Sequence, residues 1–292
     1  MVDIHNLTFS YWRENKRGKN KHPLFDNLSL SLKSPNIYGL LGRNGAGKTT
    51  LLKIITGQLF KNYGEISVLG ADPAKRLPGM LSRIYFLPEV FYLPSLRGYE
   101  YVKIHSPFYP EFSEEAFRKN SQEFDIDPDK RLNSLSYGQK KKFLIGFGLA
   151  TRCSLIVFDE PTNGLDIPSK SQFRRLVSNS VQDNQTFIIS THQVRDLEHI
   201  IDPIIILDTG KVILNESMER ISAELSMTIQ RDEPEETNTL YSEKTLGGYA
   251  VIKKGPSGGE AIDIEILFNT VISNREKVIE IFNKNREDKN EA

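Results

Sequence analysis

The run Gly42-Arg43-Asn44-Gly45-Ala46-Gly47-Lys48-Thr49 fits the pattern G-x-x-x-x-G-K-[ST], whose residue types are those needed to hold a chain of phosphates. Glycines leave successive backbone N–H groups free to wrap an anion, and a helix starting at the end of the run adds the positive end of its dipole. The Lys48 ammonium is a point charge for the outer phosphates, and the Thr49 hydroxyl is a ligand for Mg2+. This chemistry also needs a carboxylate at the end of a neighbouring buried strand. Leu155-Ile156-Val157-Phe158-Asp159-Glu160 supplies two, Asp159 for the metal and Glu160 to orient and polarise an attacking water. The residues expected on the nucleotide are Gly42, Arg43, Asn44, Gly45, Ala46, Gly47, Lys48, Thr49 and Thr50.

The elements that must position these groups follow from periodicity. Residues 2–11 alternate loosely and predict a strand; a second strand pair, 28–32 and 37–41, leads into the glycine loop. Leu51, Leu52, Ile55 and Leu59 fall at helical spacing, so residues 49–59 predict a helix. From about 73 to 151 the chain reads as helical stretches broken by prolines, an inserted helical subdomain that the aromatic-rich segment 84–92 opens. Short apolar runs at 155–158, 186–190 and 204–207 suit strands buried on both faces of a parallel sheet. The fold class is therefore α/β: a phosphate-loop core with a mostly parallel sheet, N-terminal antiparallel strands and the helical insert, spanning residues 1–215. Residues 216–292 predict a small α+β accessory domain, with strands at 249–253 and 261–268, a helix at 275–283 and a charged, disordered tail.

Composition narrows the function classes. The 292 residues carry 38 basic and 38 acidic side chains, so there is no positive surface to argue for direct nucleic-acid binding. The basic stretch 13–22 reads as an exposed turn. No apolar run is long enough to span a bilayer, and the N-terminus lacks a secretory pattern, so a cytoplasmic location is expected, with membrane contact only through another protein. Cys153 is the only cysteine and lies in an apolar run, which makes it a packing residue.

Leu135-Ser136-Tyr137-Gly138-Gln139, just ahead of the acidic strand, resembles the signature motif of ATP-binding cassette (ABC) ATPases, and the order of the motifs matches as well. The resemblance covers roughly residues 2–215. It implies ATP and Mg2+ as the bound species and a dimer, homodimeric or with another ABC ATPase, in which the signature of one subunit closes over nucleotide on the loop of the other. Ser136, Gly138 and Gln139 open a helix over 139–150 that would aim backbone donors at the phosphates. His192 looks like the histidine that contacts the γ-phosphate, Asp166 in Asn163-Gly164-Leu165-Asp166 like the acid of the loop coupling two sites, and Tyr11 like the aromatic that stacks on adenine, with Trp12 as its rival. Two positions depart from the family: Tyr137 replaces a usual glycine, and Glu89 stands where a glutamine usually ligates the metal. A carboxylate still ligates Mg2+ but donates no hydrogen bond. The resemblance implies an ATPase that drives a separate membrane permease, in the direction of export, from the inner face of the membrane. A non-transport cassette acting on ribosomes or nucleic acid, and a nucleotide-gated interaction module, are the alternatives.

Overall fold

The computed structural model describes residues 1–11, 23–235, 239–258 and 261–290; Trp12 and the polar run 13–22 lie outside them. Strands β1 (Val2–Phe9) and β2 (Phe25–Leu32) pair antiparallel from Val2 opposite Leu32 to Phe9 opposite Phe25. The strand expected to pair with β2, β3 (Asn36–Leu41), joins a different sheet instead. The sequence carries the reason: β2 alternates buried and exposed positions, as a sheet with one wet face requires, whereas β3 ends in four consecutive buried residues and belongs between two covered faces. Helix α1 (Lys48–Ile55) follows the glycine loop and stops short of the predicted Leu59, because Gly57 turns left-handed at φ +71°. β4 (Tyr63–Val68) then returns to the free edge of β1.

After α2 (Pro78–Leu81), β5 (Ile84–Leu87) pairs parallel with the acidic strand at 155–159, so the aromatic segment read as the start of the insert begins inside the core sheet. The helical layer consists of α3 (Gly98–His105), α4 (Glu114–Glu123) and α5 (Tyr137–Ala150). β6 (Leu155–Asp159), α6 (Ile167–Ser180), β7 (Thr186–Thr191), β8 (Ile204–Asp208) and β9 (Lys211–Glu216) complete a six-stranded sheet of order β5-β6-β7-β3-β8-β9, parallel except for β9 at its edge. Alternate residues of β6 feed two cores. Ile156 and Phe158 pack with the helical layer, while Leu155 and Val157 pack with α1 and the antiparallel sheet. The ends of β3, β6 and β7 are thereby fixed side by side, which is what brings the phosphate loop, the two acids and His192 to one edge.

The C-terminal segment begins with α7 (Met218–Glu224) and forms an antiparallel sheet of β10 (Leu225–Gln230), β11 (Tyr241–Thr245) and β12 (Gly248–Lys254), with β12 central. The strand expected at 261–268 is instead largely α8 (Ile264–Ser273). The Asp263 carboxylate caps it by accepting from the N–H groups of Glu265 (2.7 Å) and Ile266 (3.1 Å), and Ile264, Leu267 and Val271 are buried at helical spacing. α9 (Arg275–Asn290) runs on past the predicted end at 283, through the charged stretch expected to be disordered. Ala250, Ile252, Leu267, Val271 and Val278 share one apolar cluster with Ile204, Ile206 and Leu214 of the large sheet. Among the described residues, no helix is long and apolar enough to cross a membrane.

Candidate nucleotide site

The glycine loop bends where its sequence allows. Gly45 and Gly47 stand at φ +83° and +108°, and a Cβ on Gly47 would lie 2.7 Å from the Phe25 ring, so both backbone angle and space require glycine there. Lys48 opens α1 with its side chain folded back over the loop, its Nζ donating to the Gly42 carbonyl at 2.7 Å and lying 3.7 Å from Glu160 Oε1. Burial pulls the Lys48 ammonium below its ordinary pKa, and the carboxylates of Glu160, Asp159 and Glu89 push it back up. Thr49 Oγ1 donates to Asp159 Oδ2 at 2.7 Å, and Ser190 Oγ to Asp159 Oδ1 at 2.5 Å. Asp159 is thus fully buried with both oxygens engaged.

Glu160 sits one residue beyond the strand in the left-handed region, at φ +49°, its N–H held by the carbonyl and hydroxyl of Ser190 at 3.1 Å each. That conformation is uncommon outside glycine and aims the carboxylate away from the line of β6. His192 Nδ1 meets Glu160 Oε1 at 2.8 Å. Lys48, Thr49, Glu160 and His192, with Glu89 and Asn163, line an open cavity of about 640 Å³. Tyr11, Arg43, Asn44, Gly45, Gly47 and Thr50 complete its predicted members, and the Tyr11 hydroxyl meets Thr50 Oγ1 at 2.7 Å. Gly42 and Ala46 lie in the loop without facing the cavity. Asp159 reaches it through Thr49.

Besides Gly42, Ala46 and Asp159, four expected residues from outside the loop and the acidic strand do not line this cavity: Ser136, Gly138, Gln139 and Asp166. Ser136 and Gln139 cap α5 reciprocally, Ser136 Oγ accepting from the Gln139 N–H at 3.2 Å and Gln139 Oε1 accepting from the Ser136 N–H at 3.0 Å. Ser136 remains exposed. Asp166 caps α6 by accepting from the Ser169 N–H at 2.9 Å, and hydrogen bonds from the Ser169 side chain and then its N–H hold the carboxyl below the ordinary value. The departure at Tyr137 has a definite use: its ring stacks on Phe91 with centroids 5.2 Å apart, and its hydroxyl donates to the Glu89 carbonyl at 2.8 Å. The Glu89 carboxylate accepts from Asn163 Nδ2 at 3.0 Å.

Two residues escaped the sequence reading. Ser190 positions both acids, and its signal is a hydroxyl ending an apolar strand. Lys141 is fully buried on α5, its Nζ donating to the carbonyls of Glu160 and Asn163 at 2.9 Å each. Burial lowers its pKa to about 8, against the pull of the Glu89, Glu160 and Asp159 carboxylates. Its spacing to Leu144, Ile145 and Gly148 marks the inward face of the helix.

Residues 25–163 match the family described as ABC transporter. That segment is an ABC-type ATPase domain. Curated relatives similar to this chain include the lantibiotic transport ATP-binding protein SrtF of Streptococcus pyogenes, 28% identical over 221 residues that cover 75% of this chain and 92% of the relative. The bacitracin transport ATP-binding protein BcrA of Bacillus licheniformis is 31% identical over 193 residues, 64% of this chain and 63% of that one. Among solved structures, a dimeric ATP-binding cassette in a post-hydrolysis state with ADP and Pi superposes with a TM-score of 0.63 at 25% identity, covering 74% of this chain and 98% of the other. The ABC fold, the nucleotide-binding character and the ATPase class read from the sequence all stand on these matches.

Proposed function

We propose that this ATPase binds MgATP in the loop cavity and hydrolyses it as the motor subunit of an exporter whose permease is a separate membrane protein. The observation that carries the catalytic part is the Glu160 carboxylate, held over the cavity between His192 Nδ1 and Lys48 Nζ. The residues fit the ligand: the left-handed glycines leave the loop's N–H groups open, and a threonine hydroxyl paired to a buried carboxylate faces the same space. Bound Mg2+ would neutralise charge on the phosphate oxygens. Thr49 would hold it, with Asp159 behind and Glu89 across the cavity. Among the described residues no group of three or more His, Cys, Asp or Glu is arranged as a metal site, so phosphate oxygens and water would complete its shell.

In this reading the loop N–H groups and Lys48 bind and orient the phosphates, Glu160 accepts a proton from the attacking water, and His192 steadies Glu160 from its Nδ1 side. Tyr11 packs on the base. Ser136, Gly138 and Asp166 serve nucleotide on a second cassette, homologous or identical, since they are displaced from their own cavity and Ser136 is exposed. Relatives named as lantibiotic and bacitracin transport ATP-binding proteins support the coupling of this ATPase to transport. Affinity purification of the chain from gently solubilised native membranes should recover a polytopic membrane protein in stoichiometric amount. Recovery of ribosomes or nucleic acid in its place would replace the transport reading.

A further inference from the structure

The buried ammonium of Lys141 is the one feature of this region that the proposed chemistry leaves without a task. It is wholly inaccessible, and its two described hydrogen bonds are donated to main-chain carbonyls of the loop that follows β6 rather than to a carboxylate. Burying a cation against neutral partners is costly, and an apolar side chain of similar volume would fill the same space more cheaply. A lysine kept there is explained by what it ties together. One partner is the carbonyl of Glu160, the residue whose backbone is strained into the left-handed region; the other is the carbonyl of Asn163, whose side chain holds Glu89. The lysine itself rises from the first turns of α5, directly after Ser136, and the Tyr137 ring lies with its centroid 5.2 Å from Nζ. Tyr137 in turn binds the Glu89 carbonyl.

We infer that Lys141 is a positioning residue that fastens the start of α5 to the main chain of Glu160 and Asn163, so that the signature segment and the water-orienting carboxylate of the same subunit move as one body. The inference rests on the reading above, in which Glu160 acts on water and Ser136 meets nucleotide on the second subunit. It adds a route between the two: a shift of α5 imposed by the neighbour's nucleotide displaces the carbonyl on which the Glu160 conformation depends. Two donor bonds from a single ammonium hold both carbonyls at a fixed separation, which an apolar residue cannot do.

Lys141→Met removes the charge and both donors while keeping an unbranched side chain only one atom shorter. In the full-length protein the midpoint of thermal unfolding should stay within about 5 °C of wild type, since lost hydrogen bonds are offset by the lost cost of a buried charge. ATP affinity, read by equilibrium titration, should stay within about threefold, because no cavity-lining residue changes. The turnover number for phosphate release should fall by about tenfold to a hundredfold, the scale of a misplaced catalytic group. Lys141→Gln, one atom shorter but with two amide donors, should recover part of that loss. Wild-type turnover in Lys141→Met, or losses of turnover, affinity and thermal midpoint that run in parallel in both variants, would overturn the tether. Glu160→Gln in the same assay separates the two claims: if it turns over normally, the assignment of Glu160 has failed rather than the role of Lys141.

Discussion

At the scale of single residues, Glu160 and Tyr11 make the sharpest separable claims. Glu160→Gln keeps the hydrogen-bond capacity of the side chain, the loop and the Thr49–Asp159 pair, and loses only the basic oxygen. Phosphate release should fall by about a hundredfold or more, the range of a general base, while ATP titration stays near wild type. The variant should elute as a dimer on size-exclusion chromatography in MgATP. Unchanged turnover would remove Glu160 from the catalytic role. Tyr11 lines the cavity through an exposed ring whose hydroxyl is tied to Thr50. Tyr11→Ala should weaken ATP by about 1–3 kcal/mol, the worth of a base–aromatic stack, and Tyr11→Phe should restore most of it because the ring is what the base meets. A larger loss in Tyr11→Phe than in Tyr11→Ala would mean that the hydroxyl, through Thr50, is the group that matters.

At the scale of elements, α5 separates from the cavity of its own chain, and that separation is testable. Lys48→Ala spoils the loop and Ser136→Arg blocks the cap of α5, so each pure variant should be inactive. A mixed dimer reunites the intact loop of one with the intact signature of the other, and either phosphate release or ATP-driven dimerisation should return on mixing. Absence of both, with subunit exchange verified by labelled chains, would place the signature within its own subunit. The elements also show what the sequence could convey. The glycine loop, the acidic strand and the three buried runs were legible because each is defined by its own residues: glycines at fixed offsets, acids ending an apolar run. Residues 261–268 were misread because Ala261-Ile262-Asp263-Ile264-Glu265-Ile266 alternates like a strand, and only the Asp263 cap decides for a helix. The separation of β2 from β3 was visible only in three dimensions, since partner choice depends on which faces other elements cover. Lys141 and Ser190 were missed for a related reason: Lys141 donates to two main-chain carbonyls, and Ser190 accepts from the Glu160 N–H besides donating to Asp159, and no side-chain motif encodes bonds to the main chain.

At the scale of the whole molecule, the segment after residue 216 has its own sheet but not its own interior. Ala250, Ile252, Leu267 and Val278 are packed into the cluster that also contains Ile204 and Ile206, and the Arg275 guanidinium donates to Thr209 Oγ1 at 3.2 Å. Thr209 precedes Gly210, whose N–H reaches the Ala46 carbonyl of the phosphate loop at 3.3 Å. Sequence reading placed a boundary near 215 on a change of composition, and the chain does change topology there.

The shared interior makes unfolding cooperative across that boundary. Scanning calorimetry should give one transition for the full chain, with van't Hoff and calorimetric enthalpies in agreement, and MgATP should raise it as a whole. Leu267→Ala, far from any phosphate, should lower that single midpoint by the several degrees that about 2–5 kcal/mol of lost core packing implies. A second transition indifferent to nucleotide would show the C-terminal segment melting by itself. With one transition, the free energy of ATP binding also protects the C-terminal sheet, and wear anywhere in that sheet lowers the temperature at which the motor fails.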